Sequence, residues 1–84
     1  MNARALVARN LRGLRVQRGL SQEKLALEAG VERNYVSLIE LGRNSPSVGM
    51  LFKLCKVLDL PPSSVLAQVE QQLRGGQKAR QRKR

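Results

Sequence analysis

The sequence predicts an all-α fold, a single small domain of five helices, and three observations predict it. Apolar residues recur at spacings of three and four along most of the chain, glycines punctuate those runs at Gly19, Gly30 and Gly42, and no stretch has the pattern of a strand. With 84 residues the chain lies near the lower limit at which a hydrophobic core holds without a disulfide or a metal, so the fold must be compact.

The elements follow in order. On a helical wheel Val7, Leu11 and Leu14 fall together, Ala3 and Leu6 extend that side, and Arg9 and Arg12 point away, which predicts an amphipathic helix over residues 3–18 ended by Gly19. Ser21 offers a hydroxyl N-cap to a second helix, QEKLALEA, with Leu25, Ala26 and Ala29 as its apolar face and Gly30 as its stop. A third helix runs from about Glu32 to Leu41, with Val36 and Ile39 on one face and Arg33, Asn34, Ser37 and Leu41 on the other. After the turn residues RNSPS, Ser47 caps a fourth helix, VGMLFKLCKVL, in which Val48, Leu51, Cys55 and Leu58 recur as an apolar stripe. Pro62 opens a fifth through about Leu73, with Val65, Leu66 and Val69 apolar.

Residues 74–84, RGGQKARQRKR, hold six basic residues, no acid and one apolar side chain, so they are expected to form a disordered basic tail behind a domain of residues 1–73. The tail carries more than half of the net charge of +10, which arises from 16 Lys and Arg against 6 Asp and Glu. An excess of that sign favours a polyanionic partner, a nucleic acid or an anionic surface. The single cysteine, Cys55, excludes an intramolecular disulfide and reads as a small buried hydrophobe in a cytoplasmic setting. No run of about 18 apolar residues spans a bilayer, and no secretory segment is evident. The arginines of residues 1–18 imitate an organelle transit peptide, but the same segment supplies a core stripe.

The second and third helices pose the functional question. Helices of eight to ten residues are unstable alone, so packing must hold this pair, and the tight turn at Gly30 fixes its angle. The passages GLSQEKLA, the small Ala26 at the helix contact, Gly30 followed by Val31, the interior Val36 and Ile39, IELGRNSPS and LCKVLDLPPSSVL stand in register over residues 5 to about 70. In all of them the chain resembles the Cro and lambda-repressor type of helix-turn-helix protein, the xenobiotic-response-element family. The tail lies outside the resemblance.

That resemblance implies a five-helix lambda-repressor-like domain, with the helix-turn-helix at about 21–41, that binds double-stranded DNA and regulates transcription. The start of the third helix would enter the major groove, making Arg33, Asn34, Ser37 and Leu38 the candidate base contacts. An Arg fork matches guanine, Asn matches adenine, Ser adapts to either and Leu packs on a thymine methyl. Arg33 as a solvated surface charge or on a phosphate, and Leu38 and Leu41 partly buried or in a protein interface, are the alternatives. Gln22 matches a family position that binds a phosphate and braces the recognition helix, and Ser21, Tyr35, Arg43 and Asn44 are further candidate phosphate ligands, Tyr35 with a packing role as its alternative. Arg15 and Glu40 match a family pair that forms a salt bridge between the first helix and the recognition helix, and both lie at the edge of apolar stripes.

No catalytic apparatus is recognisable, since the chain has no His, one Asp, one Cys and no glycine-rich phosphate loop. The reading is therefore a dimeric, cytoplasmic and nucleoid-associated bacterial or phage regulator, a repressor or autoregulator with no cofactor, metal or small-molecule ligand. The homodimer is expected through the fourth and fifth helices. The rival is an interaction module, an antitoxin or adaptor, suggested by Met50, Phe52, Val57, Val69 and Leu73 as apolar residues beyond the needs of one core.

Overall fold

The computed structural model describes the backbone of residues 2–81 and the side chains of residues 2–75; Arg82, Lys83 and Arg84 of the expected tail lie outside the described residues. Five helices appear in the order α1 (Ala3–Gln17), α2 (Gln22–Ala29), α3 (Arg33–Glu40), α4 (Val48–Leu58) and α5 (Pro62–Gln81). Among the described residues there is no strand.

Local chemistry sets the helix starts. The side chains of Asn2, Ser21 and Ser47 accept hydrogen bonds from the backbone N–H of Ala5, Lys24 and Met50, each satisfying one of the donors that a helix start leaves orphaned. The two serine caps are those expected from the sequence, and the Asn2 cap adds to them. Glu32 stands at the N-cap of α3 without a side-chain cap bond.

One device closes four helices. The N–H of Leu20, Val31, Arg43 and Leu60 reaches back to the carbonyl of Arg15, Ala26, Leu38 and Cys55, and the preceding N–H bonds the carbonyl three residues before it. This double closure needs a left-handed residue at its apex. Gly19, Gly30 and Gly42 supply it for the first three, but α4 uses Asp59 at φ 60°, the only positive-φ residue other than glycine among the described ones.

The core is one cluster. Leu6 and Leu11 of α1, Leu25 and Ala26 of α2, Val36 and Ile39 of α3, Leu51, Leu54, Cys55 and Leu58 of α4, and Val65 and Val69 of α5 are all buried in it. Helix α1 lies against α5 and α3, while α2 lies against α3 and α4. Burial pushes the Cys55 thiol above its usual pKa, so it stays protonated and packs as a small hydrophobe.

The structure revises several expectations. Leu54, absent from the predicted α4 stripe, is buried at its centre, and Val48, expected in that stripe, is exposed. Val48 sits in the first turn of α4, where no neighbouring helix covers it. On α5 the roles of Leu66 and Val69 separate: Leu66 is half exposed, while Val69, expected to be surplus, is in the core. Met50, Val57 and Leu73 rest partly buried against that core, leaving Phe52 as the exposed member of the predicted surplus. Finally, α5 continues through Gln81, past both the expected end at Leu73 and the start of the expected disordered tail. In the extension Gln, Lys, Arg and Ala favour helix while Gly75 and Gly76 oppose it, and Arg74 pairs with Glu70 one turn back at 3.4 Å.

Candidate nucleic-acid interface

Helix α3 is clamped along one side and open along the other. Val36 and Ile39 are buried, and Tyr35 is half-buried against the same core, which favours packing as its main role. On the open side Arg33 and Asn34 are exposed and Ser37 and Leu38 are half-buried. Residues four apart on a helix stack over one another. Arg33 therefore lines up with Ser37 and Asn34 with Leu38, in two adjacent rows.

A polar knot fixes the angle at which those rows are presented. The Arg15 Nε donates to Glu40 Oε2 at 2.6 Å, and its Nη2 donates to Glu40 Oε1 at 2.9 Å, the two-pronged pairing suited to a guanidinium and a carboxylate. The third nitrogen, Nη1, donates to the backbone carbonyl of Leu20 at 2.7 Å. Gln22 completes the knot by donating from Nε2 to Glu40 Oε1 at 3.0 Å. The end of α3 is thereby tied to α1, to the α1–α2 turn and to the first residue of α2.

The Arg15 and Glu40 side chains are only 11% and 4% exposed, so water screens this pair little. The hydrogen bond from Arg15 to Glu40 raises the pKa of Arg15 in spite of desolvation, which acts the other way. Such a pair adds little net stability over an apolar replacement, yet losing one partner strands a buried charge.

Ser21 and Gln22 at the start of α2 and Arg33 at the start of α3 line a shallow hollow of about 370 Å³ together with Arg15 and Glu23. One Gln22 amide hydrogen is committed to Glu40, leaving the second for an anion. The Ser21 oxygen already accepts from Lys24 N at 2.9 Å, so its own O–H is what remains to donate. Glu23 is a member of this hollow that the sequence reading missed, although its place in the first turn of α2 beside Gln22 was the available signal. Its carboxylate complements the helix N-terminus and opposes a second anion there.

Asn34, Tyr35, Arg43 and Asn44 do not line the hollow. Arg43 and Asn44 are exposed in the loop after α3, where their N–H groups close on the Leu38 carbonyl at 3.0 and 3.3 Å. Leu41 is 66% exposed at the end of the same helix. It borders the open side of α3 and takes no part in the core.

Comparison with known proteins bears on this architecture. Residues 11–65 match the sequence model of the helix-turn-helix family HTH_3. An uncharacterized HTH-type transcriptional regulator of Sinorhizobium fredii, y4dJ, is 38% identical over 58 residues, covering 69% of this chain and 75% of its own. The crystal structure of the clp gene regulator ClgR from Corynebacterium glutamicum superposes with a TM-score of 0.81 at 26% identity, over 98% of this chain and 89% of that one. The restriction-modification controller protein C.AhdI from Aeromonas hydrophila superposes with a TM-score of 0.71 at 38% identity, over 73% and 92% of the two chains. The fold is thus shared with these regulators, and the chain belongs to the helix-turn-helix family HTH_3, of the xenobiotic-response-element type.

Proposed function

We propose that the protein is a transcriptional regulator that binds a defined sequence of double-stranded DNA by laying the N-terminal half of α3 in the major groove. The observation that carries this reading is the exposed pair Arg33 and Asn34 at the start of a helix whose other side is buried and whose end is fixed by Arg15, Glu40 and Gln22. Arg33, Asn34, Ser37 and Leu38 face the bases. Ser21, Gln22, Arg43 and Asn44 hold the phosphates, with Tyr35 beside them.

The regulator acts as a homodimer through α4 and α5 and works as a repressor or autoregulator in the cytoplasm. Support for this surface is the exposed apolar set Val48, Phe52 and Leu66, at 73%, 58% and 50% of their full accessibility. Support from function is that one recognition helix reads too few base pairs to find a site among genomic competitors. The basic residues from Arg74 onward add phosphate contacts that do not depend on sequence.

Selection of bound duplexes from a random pool tests the proposal. The expected product is a palindrome with half-sites roughly 10 bp apart. An unrepeated half-site bound at full affinity by a monomer overturns the dimer, and recovery of no preferred sequence overturns specific recognition. Removing residues 74–84 is expected to flatten the log–log salt dependence of binding by about 0.9 for each phosphate that is no longer neutralised, with the selected sequence unchanged.

A further inference from the structure

A second basic surface lies away from the helix pair. Arg9, Arg12, Gly13, Val16 and Gln17 of α1 and Gln68 of α5 line an open groove of about 610 Å³ to which neither α2 nor α3 contributes a residue. We propose that this groove is a protein-docking site for an acidic, amphipathic helical segment of a partner.

Charge and apolarity coincide there. No Asp or Glu occurs before Glu23, so α1 carries arginines and no carboxylate of its own. Val16, in the same groove, is 57% exposed and takes no part in the core. Nothing lies within 4 Å of a Cβ placed on Gly13, so a visiting side chain can approach the α1 backbone at that point. The Gln17 and Gln68 amides offer both donors and acceptors at the rim.

This combination suits a protein helix better than a DNA backbone. A phosphate gains nothing by covering Val16, whereas an acidic amphipathic helix buries that surface with its apolar side and brings a carboxylate to Arg12. The groove is also turned from the side of α1 that meets α3: on a helix turning about 100° per residue, Arg12 lies about 60°, Val16 about 100° and Arg9 about 120° round from Arg15, which bonds Glu40 of α3.

The test uses the full chain, labelled for NMR, and a synthetic helix of about 20 residues with Glu along one face and Leu at helical spacing along the other. Shifts are expected at Arg12, Gly13, Val16 and Gln68. Replacing Arg12→Gln together with Val16→Ser is expected to weaken peptide binding about tenfold or more, while affinity for the selected duplex changes less than about threefold. Both positions are exposed, and the single variant Val16→Ser, checked for an unchanged melting temperature, guards against misfolding. Several results overturn the proposal: equal binding by a polyglutamate peptide of the same charge, unchanged affinity in either variant, shifts centred on Arg33 and Arg43, or displacement of the peptide by duplex DNA with the duplex protecting Val16.

Discussion

Two regions of the domain are held together by opposite means. Around Glu40, α1, α2 and α3 meet through a guanidinium, a carboxylate and an amide. Between α4 and α5, Leu54, Leu58, Cys55 and Val65 meet with no more than 1% of any of them exposed and no polar side chain among them. Apolar contact is strong but tolerant of small rotations, since it depends on area. The fork of Arg15 on Glu40 tolerates few geometries. The difference teaches that area and geometry are placed at different ends of this molecule: the apolar end contributes buried area, and the polar end ties the end of α3 to α1 and α2 through directional bonds.

The sharpest way to break that division is Glu40→Ala, which leaves the Arg15 guanidinium buried without its partner and is expected to destabilise the protein by about 3–5 kcal/mol in urea unfolding. The companion double variant Arg15→Met with Glu40→Leu should recover most of that stability but lose discrimination between preferred and random duplexes. Full discrimination in the folded double variant would show that the knot does not aim α3. At the apolar end, Leu54→Ala is expected to lose about 2–5 kcal/mol of stability. Duplex choice by the folded fraction should not change, and a changed choice would mean that direction is set there as well.

A smaller effect isolates the recognition surface from both regions. Arg33→Ala should reduce affinity for the selected duplex by about 1–3 kcal/mol and relax the choice at one guanine, with stability unchanged. An equal loss on every duplex would make Arg33 a phosphate ligand instead. The smallest expected change refines the apolar end. Asp59→Gly removes a side chain from a left-handed backbone and should raise stability by about 0.5–1 kcal/mol, read as a higher urea midpoint at constant slope. A lower midpoint would mean that the Asp59 side chain contributes more than its backbone strain removes.

Much of this was legible before any coordinates. Ser21 and Ser47 announced the starts of α2 and α4, and Gly19, Gly30 and Gly42 announced three of the helix ends, because caps depend on one residue and its near neighbours. Asp59 did not announce the fourth such end, since a left-handed aspartate carries no compositional mark that separates it from a polar loop residue. At the candidate site, the rows formed by Arg33, Asn34, Ser37 and Leu38 follow from helical spacing alone. Gln22 bonding directly to Glu40 does not, since it joins residues 18 positions apart.

The sequence by itself determined that five helices form, where most of them begin and end, and which face of each carries the apolar residues, because these properties arise within a few residues along the chain. Only the tertiary structure decided which apolar residues are covered. Leu54 and Val69 meet a neighbouring helix, while Val48 and Leu66, equally apolar in composition, do not. It also decided that Arg15 spends its three nitrogens on Glu40 and Leu20, and that α1 and α5 leave an open groove between them. Periodicity gives the direction of a side chain, but burial requires another element on that side, and that element comes from a distant part of the chain.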